Sequence, residues 1–304
     1  MDAGLLLFAA TLRIAVPYVL AALGGWASER GGVVQIGLEG LLLVGAFTCV
    51  WVAHAAEGAG WSGGAAASLG IAAAAVAGAV FASIHALVCI RFGADAIVSG
   101  IALNLLAAGA TKFLLTLAFG SAANSSRIAG TSASGEGFSG ALLATPLVLV
   151  AVIAVLACDL AARRTPFGVR LHAVGEHPEA AAAAGIAVAR VRTAGVLLSG
   201  VLAALGGAHL ALDQHQFTAG MASGRGFIAV AALVFGRWTP RGAAGACVLF
   251  AAAEALQIHL QAHASRAIPT QLVQMLPYVV TLIALVGVVG RARPPAALGR
   301  NAAT

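Results

Sequence analysis

Apolar residues run along this chain in long blocks. A helix needs about 20 mostly apolar residues to cross hydrocarbon. Blocks at residues 4–25, 33–56, 65–90, 96–119, 140–162, 193–213, 242–262 and 271–290 have roughly that reach, and a shorter one lies near 226–236. They are unbroken and lack the dyad alternation of barrel strands, so they predict helices. The expected fold is all-α: a single polytopic membrane domain over 1–304, with about 8–10 transmembrane helices. The first block has the superficial look of a signal peptide, but Asp2 precedes it and Arg13 interrupts it, so it reads as a retained first helix. Small-xxx-small pairs, Gly60 with Gly64 and Gly195 with Ser199, are places where helix backbones can approach.

Composition agrees with the blocks. Apolar residues make up 61% of the 304 and charged ones 9%, against about a quarter charged in ordinary soluble domains. Seventeen basic and eleven acidic side chains cannot coat a globule of this size. Soluble enzymes and nucleic-acid binders are thereby excluded, and the net charge of +6 is a matter of short loops. Cys49, Cys89, Cys158 and Cys247 each sit in apolar surroundings without C-x-x-C spacing and read as small packing residues.

The placement of the charges gives orientation. One set of loops holds Arg30, Arg91, Arg163, Arg164, Arg170, Arg190, Arg192, Arg237, Arg241, Arg291, Arg293 and Arg300, whereas the alternate set holds Arg127, Arg225 and Arg266 beside Glu57, Glu136 and Asp213. Twelve against three marks the first set as cytoplasmic. With nine crossings the N-terminus lies outside; if 226–236 is re-entrant, the parity changes. Residues 120–139, rich in Ser, Gly and Ala, read as a flexible outer loop. The cytoplasmic segment 163–192 is the longest polar stretch, and 291–304 forms a cytoplasmic tail.

Within 163–192, Pro178 suits a first helical position and Glu179 the positive end of the dipole. A run of Ala follows, and Gly185 supplies a stop. The expected result is a helix of about two turns, marginal by itself and therefore suited to a partner. The rival reading is a solvated loop with a helical turn.

The spacing Glu179, Ala180, Ala181, Gly185 resembles the E-A-A-x-x-x-G coupling segment of ATP-binding-cassette importer permeases. The resemblance extends to ERGGVVQIGLEG (29–40), DAIVSGIALNLL (95–106), residues 165–192, GRGFIAVAALVFGRWTP (224–240) and 268–299, which ends in GRARPPAALG. Together these are similar to the branched-chain amino acid and simple sugar type of importer permease, most closely its nucleoside branch. Gln35 departs from the Asn often found there, and the coupling helix is unusually Ala-rich. The resemblance implies a type II-like pore-forming subunit in a bacterial cytoplasmic (inner) membrane, moving nucleosides by alternating access without being an enzyme. It also implies a cytoplasmic ATPase, a second homologous permease in a heterodimer, and an extracytoplasmic binding lipoprotein. Gly175, Glu176, Pro178, Glu179 and Gly185 would couple to the ATPase. Simple sugars or branched-chain amino acids are the alternative solutes, and an ion-coupled secondary transporter is a more distant one.

The residues support a borrowed energy source. A P-loop needs Gly-Lys-Ser/Thr, and the one lysine, Lys112, lies between Thr111 and Phe113 in an apolar block. ATP, if used, binds another chain; this one needs no cofactor or metal. For the solute pathway, polar groups at membrane depth are the candidates. Glu39 follows Gly31, Gly32 and Gly37, where a continuous helix is poor and a broken one plausible. The competing reading is a carboxylate satisfied by local backbone N–H groups. Asn104, with Ser99 on the same span, can both donate to and accept from a base or a ribose, or can join helices. Phe227 can stack on a nucleobase or simply pack. Glu254 and Gln257 share a helical face toward a neighbouring helix, and His85, His209 and His259 read as histidines satisfied between helices.

Overall fold

The structure, a computed structural model, describes residues 3–130, 146–263, 279 and 293–300. Ten α-helices lie in these residues: α1 (Ala3–Glu29), α2 (Leu38–Gly58), α3 (Gly63–Ala86), α4 (Ala96–Phe119), α5 (Leu147–Arg164), α6 (Pro166–Glu176), α7 (Pro178–Ala183), α8 (Val188–Gln214), α9 (Arg225–Phe235) and α10 (Pro240–His263). A π-helical turn, Leu87–Arg91, extends α3. Among the described residues there is no strand, only an isolated bridge between Asn124 and Thr218. Six helices among the described residues are long and apolar enough to cross a membrane: Gly4–Glu29, Leu38–Gly58, Gly63–Arg91, Ala96–Phe119, Val188–Gln214 and Pro240–Gln261. The expected span at 271–290 falls outside the described residues except for Val279. Of the 140–162 block, 140–145 lie outside the described residues and 147–162 lie in α5, which ends in Asp159, Arg163 and Arg164; Asp159 accepts from Arg163 at 3.0 Å and from Arg241 at 2.9 Å.

Helix α8 is the axis of the bundle. Its most apolar stretch is 78% buried, against 22% for α4, so α4 leaves Ile101, Leu105, Phe113 and Leu117 on the surface. Around α8 the backbones nearly touch, as small residues allow. Gly195 faces the Ala27 carbonyl, and a Cβ on Gly24 would come within 2.8 Å of the Ser199 carbonyl oxygen. The expected pair Gly195/Ser199 is therefore the α1–α8 seam. The same pattern at Gly60 and Gly64 has no neighbour within 4 Å of an added Cβ and makes no seam. Toward the other end of α8, Arg13 pairs with Asp213 at 2.9 Å and its carbonyl binds His209 Nε2 at 3.0 Å. The charge that interrupts the first apolar block is thus matched by one at the end of α8.

The contacts fix the direction of each helix. Side-chain bonds and a shared small cavity gather one set of termini: the ends of α1, α3, α5 and α9, the starts of α4, α8 and α10, and helices α6 and α7. This is the arginine-rich end. Residues 215–238 leave the opposite end of α8 and come back to the arginine-rich end, where Trp238 bonds Glu29 at 2.7 Å. That stretch therefore traverses the bundle and is not re-entrant. Its first part is non-helical, with Phe217 buried edge-on against Phe47 at 5.4 Å between ring centroids.

Two expectations change. Of the expected flexible loop 120–139, residues 131–139 lie outside the described residues, and 121–130 are tied down: Ser125 and Ile128 N–H groups donate to the carbonyls of Phe217 and His215, and Ala129 N–H donates to Glu57 at 2.9 Å. And 163–192 holds two short helices rather than one. Thr165 accepts from Gly168 N–H to cap α6, with Pro166 in the first turn.

Candidate translocation site

Between α1 and α2 the chain abandons the helix. Gly32, at φ +92°, makes a turn that a side chain would strain, and residues 33–35 have no regular structure. Their backbone groups take side-chain partners instead of helical ones. Ser28 Oγ donates to Val33 O at 2.8 Å, one His85 ring nitrogen meets Val34 O at 3.0 Å, and Gln35 N–H donates to Glu29 at 3.3 Å. The buried Gln35 amide donates to Ser199 Oγ at 3.2 Å, while its own carbonyl oxygen has no protein partner. Asn104 then bridges the break. Its Nδ2 donates to Ile36 O at 3.0 Å and its Oδ1 accepts from Gly40 N–H at 2.7 Å. Those two backbone groups would bond each other in an unbroken helix, so the Asn104 amide stands in for the missing turn.

Glu39, one residue before Gly40, reaches across to α9. Its two oxygens accept from Gly224 N–H and Gly226 N–H, each at 2.7 Å. A helix N-terminus exposes unpaired donors and a partial positive charge, and the carboxylate answers both. The competing reading of Glu39 holds in kind but not in place: the N–H groups are backbone, yet lie far along the chain. Gly226 is required, because a Cβ there would collide with Glu39's own backbone nitrogen.

Beside this junction, Arg225 Nη2 meets Glu254 Oε1 at 2.9 Å, and Tyr18 donates to the other Glu254 oxygen. Both charged side chains are about a fifth exposed, 20% and 21%. Tyr18 and Glu254 each lie past the midpoint of their long helices, so the pair sits deep in the bundle. Arg225 is not an outer-loop charge. The sequence carries a signal for this: opposite charges inside apolar blocks need partners, and Arg225 and Glu254 complement each other.

Ser99, on α4, bonds His85 Nδ1 at 2.9 Å and lines a cavity of about 350 Å³ with Asp95, Ile84, Val98 and Leu106. Phe227, next to Gly226, is 53% exposed and does not pack inside the chain.

At the arginine-rich end, the α6–α7 pair abuts the break. The Gly175 Cα touches the Arg30 carbonyl, leaving no room for a Cβ. Glu176 lies 3.6 Å from Arg30 and 3.5 Å from His172. Burial and the adjacent guanidinium pull the His172 imidazole below its ordinary range. As the neutral ring it can accept from Arg30 at 3.3 Å and donate to Glu176. Helix α7 follows, shorter than expected, with Gly185 at φ +81° beyond its end. Glu179, Ala180, Ala182, Ala183, Ala184 and Gly185 are exposed, while Ala181 is buried.

Comparison with known proteins decides the family. The model of the branched-chain amino acid transport system permease component matches residues 7–285. The chain belongs to this permease family. It is 42% identical to the guanosine ABC transporter permease protein NupQ of Bacillus subtilis, over 95% of this chain and 94% of that protein. It is 37% identical to the nucleoside ABC transporter permease protein NupC of Lactococcus lactis, with 95% and 94% covered. It is 36% identical to the putative glucose ABC transporter permease protein TsgC13 of Haloferax volcanii, with 83% and 77% covered. No solved structure matches.

This permease is therefore a multi-pass membrane protein of a transport family and not an enzyme. Its structure brings Asn104, Glu39 and Phe227 to one junction, where α2, α4 and α9 meet, and ties Ser99 to it through His85 and Val34. Gly175 and Glu176 end α6, Pro178 and Glu179 open α7, and Gly185 follows it, all at the arginine-rich end; Gly175 is buried, whereas Glu179 and Gly185 are exposed. Sequence reasoning missed Arg225, Tyr18 and Glu254 as one cluster, and helix α6.

Proposed function

We propose that this permease is the pore-forming subunit of an ATP-driven nucleoside importer in a bacterial cytoplasmic membrane. A separate ATPase binds the nucleotide and docks on α7. A second, homologous permease completes the passage against the sparsely buried face of α4, and an extracytoplasmic lipoprotein delivers the solute. The observation that carries this reading is the broken start of α2, pinned by Asn104 and Glu39 to two other helices and touched on its cytoplasmic side by Gly175. An element so placed can convert a displacement of α6–α7 into a change of the junction. Glu39, Ser99, Asn104 and Phe227 form the pathway wall: amide and carboxylate hydrogen-bond ribose and base, and the exposed ring offers a stacking surface. The nucleoside preference follows from the relatives named for guanosine and nucleosides. The glucose-named relative supports a sugar as the second reading.

The test is co-expression with the ATPase and partner permease, followed by reconstitution with the lipoprotein. The ATPase should co-purify, and labelled guanosine uptake should be competed by nucleosides and not by ribose, free glucose or leucine. Glu179→Arg should reduce both ATPase retention and uptake by about tenfold or more, as loss of an interface anchor does. Competition by glucose alone would transfer the assignment to sugars, and uptake unaffected by Glu179→Arg would refute the docking role of α7.

A further inference from the structure

The C-terminal run that ends in PPAALG is absorbed by none of the roles above, yet residues 293–300 fold back onto the coupling face. Ala297, 1% exposed, donates its N–H to Gly175 O at 2.9 Å. Ala296 N–H donates to Glu176 at 3.3 Å. Gly299, at φ +75°, donates to Gly32 O at 3.0 Å. Arg192, 3% exposed, completes the set by donating to Gly31 O at 3.0 Å and to Arg300 O at 3.4 Å. Gly175 O is one of the last carbonyls of α6, and Gly32 O lies in the non-helical turn, so neither has a helical donor. The tail supplies one to each.

We infer that residues 296–299 are a transmission element, a strap that makes the break at Gly31–Gly32 follow α6 in both directions. The inference rests on the coupling role proposed for α6–α7. Without the strap, the break and α6 meet through the Gly175–Arg30 backbone contact and the Arg30 side chain's partly exposed contacts with Glu176 and His172. A van der Waals contact transmits compression but not tension, and the solvent-screened side-chain contacts of Arg30, at 3.3 Å to His172 and 3.6 Å to Glu176, contribute little. Pulling the break back after a stroke needs bonds directed along the motion. The two backbone bonds, from Ala297 to α6 and from Gly299 to the turn, are those bonds. Two tight turns, Leu298 N–H to Pro295 O at 3.0 Å and Arg300 N–H to Ala297 O at 3.1 Å, keep the strap short and stiff. Ala297→Pro and Ala297→Ser are therefore positioning changes, made away from solute and nucleotide.

The reconstituted importer tests this with three variants, reading ATPase retention, basal ATP hydrolysis, and guanosine moved per ATP hydrolysed. Ala297→Pro deletes the N–H that binds Gly175; deletion of residues 294–304 removes the strap; Ala297→Ser keeps the bond. Retention and basal hydrolysis should match wild type in all three. Guanosine per ATP should fall about fivefold in Ala297→Pro, the size of change expected along a coupling path, at least as far in the deletion, and not in Ala297→Ser. An unchanged ratio in Ala297→Pro overturns the inference, whether or not the deletion folds. So does loss of ATPase retention in Ala297→Pro, which would make the tail part of the docking site. A wild-type complex that retains no ATPase would refute the coupling role itself, and the strap with it.

Discussion

Glu254→Ala is expected to lower the Tm of the purified protein by about 10 °C and to abolish uptake, because it strands a guanidinium deep in the bundle. Glu254 holds Arg225 at 2.9 Å and receives the Tyr18 hydroxyl. Removing one partner of a pair like this leaves an uncompensated charge, at about 3–5 kcal/mol. Replacing both partners with apolar residues of similar volume is often neutral, so Arg225→Met with Glu254→Leu should recover most of the Tm. Uptake should not return with it. Arg225 opens α9, and its bond to Met221 O at 3.2 Å helps hold the loop that presents Gly224 and Gly226 to Glu39. Thermal melting in detergent and uptake in vesicles separate the two effects. A single variant that melts like wild type would show that Arg225 is solvated, and that the pair does not secure α9.

Much of this architecture was legible in the sequence because the bilayer imposes a length and a charge rule. The long spans follow from apolar blocks, and their directions from the arginines. The break before Glu39 follows from Gly31, Gly32 and Gly37, and α7 from Pro178, Glu179 and Gly185. What could not be read is which faces meet. In water a helix announces its buried side by an apolar stripe, but here both lipid and core accept Ala, Leu and Val, so the stripe vanishes. Gly195/Ser199 and Gly60/Gly64 have the same spacing, and only the first lies in a seam. The Asn104 amide spanning Ile36 and Gly40, and Glu39 reaching Gly224, are pairings between distant segments that no local pattern encodes. Helix α6 was different. Thr165 and Pro166 are an ordinary start signal, lying upstream of the E-A-A-x-x-x-G spacing and independent of it.

The same one-methyl change at two glycines should divide the seam from the surface. At Gly207 an added Cβ would overlap the Leu42 carbonyl and lie 2.9 Å from Ala46 N, and Gly45 is as tightly set against Ala204. The obstacles are backbone atoms, which no rotamer change can clear, so α2 and α8 must move apart. Overpacking of this kind costs about 1–3 kcal/mol, and here the displaced helix carries function. Leu42 lies one turn beyond Glu39, so a shift of α2 reaches both the Asn104 bridge and the bonds to Gly224 and Gly226. Gly207→Ala should therefore lower Tm by several degrees and cut uptake by about tenfold or more, out of proportion to its stability cost, since misplacement of about an ångström at a working site can cost up to about a hundredfold. Gly64→Ala is the matched control: it lies in the first turn of α3 with nothing within 4 Å, and alanine favours helix over glycine by about 1 kcal/mol. It should leave Tm unchanged or slightly raised and uptake intact. Equal behaviour of the two variants would mean that the α2–α8 crossing tolerates separation, and that the position of Glu39 is set by the bonds to α4 and α9 and not by α8.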